Sequence, residues 1–525
     1  MRTGVRILWL FIGMALLFSC LPDKTKVISN PVLPGDNPNP SVIKIGDSYY
    51  ASTTSNEWSP LFPIYKSNDL LHWELISYVF PGGAPDWAQN NFWAPELSYD
   101  EKQQKLYVYY TGRVKRTNKV TIAVASADSP EGPFYDQGPL KFDVEETIDP
   151  FEVRDENGNL YLIWKEIYFR GRPAVICAQA ISEDRTTLIG PKHELIRNDQ
   201  EWEEHIVEGP SVFRKDDYFY LLYSAGNCCD RACNYKIGVA RAKNLLGPWE
   251  KYDANPVLRD NDDWKCPGTG NVVKKNKDYY LLFHAYKTDG GDYVGREGLL
   301  EKIHWTDDGW PRFEPSNLIN IQKSKIDYVD DFTRALAPVW QWRATQQLSY
   351  ATGENGLMLA ASVENDLLGS LLGQPVRSKN FEITATIDLN LTGHKVNGGI
   401  VLIGATNNGF GAPVAGIGIS AGQDLIEVWR TCANETNIYE AVPSTTYGDL
   451  IELKMEIRNG DLLQFSVFNG QNWEIIADSI DASAYVPWGM GFRWGLAAKG
   501  EANEFVNIRQ VRLTNRQPVS ERNEN

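Results

Sequence analysis

Positive charge is in short supply in this chain. Over 525 residues, 52 Lys and Arg stand against 68 Asp and Glu, a formal net charge of -16. Recognition of a nucleic-acid backbone needs clustered cations, so the deficit argues against it, and it fits poorly with tight binding to anionic lipid. A neutral partner is easier to accommodate. Long apolar runs are also missing: beyond residue 20, no stretch is apolar enough to cross a bilayer. Low-complexity tracts are absent. What is present, 42% hydrophobic residues with 17 Trp and 25 Tyr, is the composition of a folded protein. A chain of this length exceeds what one core supports, so it should hold two or three domains.

The one apolar run opens the chain, "MRTGVRILWLFIGMALLFSC". Arg2 and Arg6 form a basic start, and 7–18 is an apolar segment too short to span a membrane comfortably. It ends in "LFSC", which resembles a bacterial lipobox with Cys20 as the lipidated residue, although Phe18 is bulkier than the usual small residue. An ordinary secretory signal cut nearby is the competing reading. Both export the protein. The lipobox reading assigns 1–20 as a signal peptide and places the mature protein on a bacterial membrane, in the periplasm or at the cell surface, touching lipid only through its anchor.

Export permits disulfides among the other six cysteines, Cys177, Cys228, Cys229, Cys233, Cys266 and Cys432. "CCDRAC" (228–233) has no His beside it and no second ligand pair, so a zinc site is disfavoured. A vicinal bridge, or a bridge from this loop to Cys266, fits better. Spacing leaves the connectivity open.

Five segments share one design: a short strand, a turn of Gly, Asp, Asn or Lys, then an aromatic-rich strand. They are "SVIKIGDSYYASTTS", "ELSYDEKQQKLYVYYTGR", "FEVRDENGNLYLIWKE", "SVFRKDDYFYLLYSAG" and "NVVKKNKDYYLLFHAY". They begin at 41, 96, 151, 211 and 271, and each is followed by a third strand pattern. A fixed period of β-meanders indicates a five-bladed β-propeller over 28–320, because radial repetition leaves few exposed sheet edges. A stack of β-sandwiches with accidental spacing is the alternative.

In a propeller, the residues just ahead of each blade's first strand ring the mouth of the central channel. Here they read "NPNPS", "FWAPE", "TIDPF", "VEGPS" and "PGTGN". Four of the five place Pro directly before the strand. The ring brings together the carboxylates of Asp149 and Glu208, the amide of Asn39, and Phe92 and Trp93, whose rings can stack on sugar faces. For a lone Asp-Pro, an ordinary strand-entry role would be preferred. Several carboxylates at equivalent ring positions fit glycoside hydrolysis, in which one carboxylic acid protonates the leaving oxygen and a second carboxylate activates water.

The pieces "NPVLPGDNPNPSVIKIGDSYY", "FWAPELSY", "IDPFEVRDENGNLYLIW", "EGPSVFRKDDYFYLLYSAG" and "GREGLLEKIHW" resemble, in order, those of glycoside hydrolase family 43. The resemblance implies a five-bladed propeller that cleaves mostly β-xylosides and α-L-arabinofuranosides with inversion and needs no cofactor. It implies Glu208 as proton donor, Asp149 as the carboxylate that raises the donor's pKa and orients it, and Trp93 and Arg296 as substrate-pocket residues. Two positions depart from the pattern. The general base of the family is the Asp of a "PDPS"-like motif, and this chain has Asn39 there. Thr269 stands where many members carry a central His, which puts any channel ion in doubt. Asp36, three residues upstream of Asn39, is the candidate substitute base. The substrate is expected to be an oligosaccharide or polysaccharide, and the competing reading is a binding-only pseudoenzyme.

Near residue 326 the blade period ends. Alternating strands such as "FEITATIDL" and "GGIVLIGA" then suggest an antiparallel sandwich. "DDFTRALAPVWQWR" resembles the opening of the concanavalin-like domain attached to β-xylosidase-type members of the same family. The expected fold is therefore all-β, a five-bladed propeller followed by a concanavalin-like β-sandwich over 326–516. Asp330 and Asp331 raise a structural calcium as an open question, since no full oxygen set is visible. The tail 517–525 is expected to be disordered.

Overall fold

The computed structural model describes residues 28–167, 173–314, 327–361, 368–405, 414–432 and 435–516. The signal segment, the Cys20 lipidation site and the tail 517–525 lie outside the described residues.

Local alternation and turn chemistry build the blades. In the first, Ser41–Ile45 and Ser48–Ser52 pair antiparallel across the turn at Gly46, then Leu61–Ser67 and Glu74–Phe80 extend the sheet. The second, third and fourth blades repeat this four-stranded order. They begin with Trp93–Asp100, Thr147–Arg154 and Val207–Lys215. The fifth has three strands, Trp264–Lys275, Asp278–Lys287 and Glu297–Lys302. Most blades thus carry a fourth strand beyond the three read from the sequence. The segment before the first blade reaches back to the fifth: Leu33 exchanges backbone bonds with Gly298, and the Asn30 amide bonds both backbone groups of Leu300. This joins the two ends of the ring.

Burial confirms the closure. One apolar cluster lies at each blade junction, as where Tyr107 and Tyr109 of the second blade meet Leu162 and Trp164 of the third. The corresponding clusters join first to second, third to fourth, fourth to fifth, and fifth to first. A stack of sandwiches would not return to its start.

The second domain packs two antiparallel sheets face to face around the largest core cluster. Phe381–Asp388 shows why: Phe381, Ile383, Ala385 and Ile387 are buried, while the residues between them are partly exposed. The domains are stitched together by a strand pair, Trp58–Ser59 with Trp342–Arg343. A buried ion pair, Asp36 with Arg493 at 3.3 Å, adds to the contact, as does the stacking of Tyr293 on Phe492. Asp330 accepts bonds from Tyr328 Oη, Trp340 Nε1 and the Phe332 N–H, so its oxygens tie down the start of the sandwich. No group of three or more acidic, His or Cys ligands gathers there or elsewhere among the described residues.

Candidate active site

A backbone device recurs at the channel mouth. Asn39, Ala94, Asp149, Gly209 and Thr269 occupy one equivalent position per blade, and all have positive φ, at 50°, 41°, 56°, 59° and 29°. Four of them precede Pro, a position that ordinarily forces an extended backbone. In blades two to five the strand register slips at the same place, between Trp93 and Glu96, Ile148 and Phe151, Glu208 and Ser211, and Gly268 and Gly270. A bulge re-aims side chains and such strain gathers at working sites. Here the turn swings Asn39, Trp93, Asp149, Glu208 and Thr269 into one pocket of about 80 Å³. Gly209 is required on two counts. Beyond its φ, a Cβ there would lie 2.6 Å from Thr269 Oγ1.

Glu208 is held at both oxygens. Lys165 Nζ lies 2.5 Å from Oε2, and Tyr235 donates its hydroxyl to Oε1 at 2.7 Å. Thr269 Oγ1 stands 3.1 Å from Tyr235 Oη, and because the phenol hydrogen is committed to Glu208, Thr269 is the donor in that pair. Burial, with the negative charges of Glu208 and Asp149, holds the Tyr235 phenol well above its ordinary range, so it remains a donor. Asp149 accepts the Gly209 N–H at 3.0 Å. Burial and the charge of Glu208 push its carboxyl up to about 7, against the opposing pull of Lys165, the Gly209 N–H and Arg296. The Asp149–Glu208 pair therefore shares a proton at slightly acidic pH, where an ordinary aspartate would hold none.

Asn39 faces this pair from the first blade. Its Nδ2 donates to Thr54 Oγ1 at 3.0 Å, and its Oδ1 lies 3.4 Å from Arg296 Nη1. Because Arg has no acceptor, the amide orientation is determined. Its backbone N–H donates to His284 Nδ1 at 3.0 Å, which leaves the ring hydrogen on Nε2. Burial and the Arg296 charge hold His284 well below its usual range, so it stays neutral. A histidine thus does sit beside the channel mouth, supplied by the second strand of the fifth blade rather than by position 269. Arg296 also donates to Gly489 O at 3.0 Å, while its buried Nε has no acceptor among the described residues.

The second domain completes the wall. Trp488 stands against Trp93, with ring centroids 6.4 Å apart, and the Gly489 N–H donates to Cys229 O at 2.8 Å. Both bridges open from the sequence occur: Cys228 is joined to Cys229, lining the pocket, and Cys233 to Cys266.

Two sequence assignments are corrected by placement. Phe92 is fully buried, its ring edge-on to Phe62 in the core between the first and second blades. Trp93 and Phe92 are strand neighbours, so when one faces the pocket the other must face away. Asp36 does not join the carboxylates either. It lines a separate cavity of about 230 Å³ between the domains and is paired with Arg493. A carboxylate committed to a buried guanidinium outside the pocket is badly placed to activate water within it.

Sequence reasoning missed Lys165, Tyr235, His284, Thr54 and Trp488. A signal existed for Lys165, a charged residue interrupting the apolar inner strand "LYLIWKE".

A family model described as glycosyl hydrolases family 43 matches residues 28–311, more than half of the chain. A second, the β-xylosidase C-terminal concanavalin A-like domain, matches 329–505. Among relatives, a xylan 1,3-β-xylosidase of a Vibrio species is 29% identical over 55% of this chain and 57% of its own length. A xylosidase/arabinosidase of Humicola insolens is 27% identical over 63% of this chain and 65% of its own length. The chain thus spans less than two thirds of the length of these relatives. In fold, it superposes on the crystal structure of a xylan β-1,4-xylosidase from Bacillus halodurans with a TM-score of 0.78, covering 93% of this chain and 100% of that one at 22% identity. The matched residues span the five blades and their channel-mouth turns, and the chain belongs to glycosyl hydrolases family 43.

Proposed function

We propose that this protein is an exported, lipid-anchored glycoside hydrolase that removes single α-L-arabinofuranosyl or β-xylosyl units, with inversion, from plant or algal polysaccharide-derived glycans. The observation that carries this is the meeting of Glu208 and Asp149, from adjacent blades, in one pocket at the channel mouth. Glu208 is the proton donor to the leaving oxygen. Asp149, one blade away, is the carboxyl that keeps a proton near Glu208 available close to neutral pH. Water attacks the opposite face of the sugar, on the Asn39 side, and releases its proton to solvent, since Asp149 and Glu208 are the carboxylates lining the pocket. Trp93 and Trp488 together line one wall of the small pocket, which supports attack at a chain end. The names of the relatives support the two sugar candidates. The two disulfides support an oxidising compartment outside the cytoplasm, and "LFSC" supports anchoring through Cys20.

Asn39 favours a second reading, carbohydrate binding without turnover, because an amide does not take a proton from water at neutral pH. A panel of aryl arabinofuranosides, xylosides and galactosides separates the two when run on wild type and Glu208→Gln. Hydrolysis of one sugar, reduced ~10²–10⁴-fold in the variant, is expected. Activity that survives Glu208→Gln would remove Glu208 as donor. Oligosaccharide binding with no hydrolysis of any sugar would establish the binder.

A further inference from the structure

Lys165 is a buried cation placed against the proton donor. It lies in the inner strand Leu160–Glu166, opposite Ile148, next to the bulge that carries Asp149. Its side chain is only 10% exposed, and its ammonium lies 2.5 Å from Glu208 Oε2. The other carboxylate oxygen already accepts the Tyr235 hydroxyl at 2.7 Å. Glu208 therefore meets a donor at each oxygen, and Lys165 has three hydrogens to give and no lone pair to receive one. A carboxylate is satisfied by this arrangement. A carboxylic acid can still accept from both donors, but it offers the ammonium no opposite charge.

The charges around Glu208 make Lys165 decisive. Asp149 faces it from the third blade, Tyr235 from the fourth, and Arg296 from the fifth, with His284 neutral and stacked 6.1 Å from Tyr235. A carboxylate at position 39 would add a negative charge that favours protonation of the donor, but Asn39 adds none. Lys165 and Arg296 thus outnumber the one neighbouring carboxyl.

We propose that Lys165 is a positioning residue for the proton donor: it fixes the Glu208 carboxyl in place and sets the pH range over which that carboxyl carries its proton. The proposal rests on the reading of Glu208 as donor. Protonation of Glu208 removes the negative charge that the ammonium faces, so Lys165 opposes the protonated form and brings the loss of activity to lower pH. Removing the cation should extend activity upward in pH. It should also loosen the carboxyl, which lowers the maximal rate.

The test is the pH profile of kcat/KM for wild type, Lys165→Met and Lys165→Arg on an aryl glycoside whose poor leaving group needs protonation. Thermal melts confirm folding. In Lys165→Met the alkaline limb is expected to move up by about one pH unit or more, the effect of losing an adjacent opposite charge. Lys165→Arg, which keeps the charge, should retain the wild-type limb. If the Met variant does not fold, Lys165→Gln keeps a donor without the charge and is expected to show the same shift. A folded neutral variant whose rate falls evenly at all pH values, with the limb unmoved, overturns the proposal. Glu208→Gln separates the two levels. If that variant stays active, the donor assignment falls and this proposal with it. If it is inactive while the limb of the Lys165 variants does not move, only this proposal falls.

Discussion

Asn39→Asp replaces one amide nitrogen by oxygen at the position where the family's general base belongs. The structure indicates that the fold accepts the change. Thr54 Oγ1 now receives hydrogens from both Asn39 Nδ2, at 3.0 Å, and the Ala94 N–H, at 2.7 Å. With a carboxylate at 39, the Thr54 hydroxyl turns its own hydrogen to the new oxygen and keeps the Ala94 bond. The Arg296 contact at 3.4 Å becomes charge-assisted and keeps the new carboxyl ionised at neutral pH. The backbone bond to His284 is untouched, and Asp tolerates a φ of 50° much as Asn does. Stability should therefore change by no more than about 0.5 kcal/mol, the range of an unstrained substitution. A general base is worth ~10²–10⁴ in rate, or about 3–5 kcal/mol of barrier. The assay is kcat/KM on the best aryl glycoside and on its natural linkage, paired with a thermal melt. A gain of about 10²-fold or more is expected. A variant that melts like wild type and turns over no faster refutes the reasoning, because Asn39 would then belong to a site rebuilt around the amide.

Asp36→Asn should destabilise the protein by about 3–5 kcal/mol in urea unfolding, since it leaves Arg493 buried without its partner. The folded fraction should keep its specific activity, and a lost rate with stability intact would instead make Asp36 catalytic. Glu96, buried in the channel against the Ser41 hydroxyl and the Asn271 amide, has its carboxyl pushed up by burial to about 8. The fold therefore holds a proton that the unfolded chain releases near its ordinary value of 4.5. This contribution to stability is full below about 4.5 and is lost as the pH rises through about 8. Glu96→Gln, measured by urea midpoints at both ends of that range, should shrink the fall, leaving the smaller slope that Glu57, Glu297 and Asp149, all pushed up to about 7, contribute in the same direction.

The blades were legible because their determinants are local. Each hairpin carries its own turn residues, in four of the five blades Pro stands directly before the first strand, and an aromatic run marks the second. Asp149, Glu208 and Asn39 were found because they share a place in that repeat. The rest of the pocket arrives by paths the repeat does not record. Tyr235 enters from a loop held by the Cys233–Cys266 bridge, and His284 from a second strand rather than a channel-mouth turn. Trp488 and Gly489 come from the other domain, more than 190 residues from Arg296. Asp36 was misplaced for the same reason, since its partner is 457 residues away. Phe92 was a different kind of error: strand alternation beside Trp93 already assigned it to the core.

The configuration of the first-formed sugar tests the central claim most directly. Proton NMR would follow hydrolysis of whichever aryl arabinofuranoside or xyloside the protein accepts, before the released sugar mutarotates. A single displacement, with Glu208 protonating the leaving oxygen and water entering from the Asn39 side, releases the anomer opposite to that of the glycoside. That inversion is expected for wild type and, at a higher rate, for Asn39→Asp. Release of the same anomer would require a covalent intermediate on an enzyme nucleophile and would contradict the roles assigned to Glu208, Asp149 and Asn39.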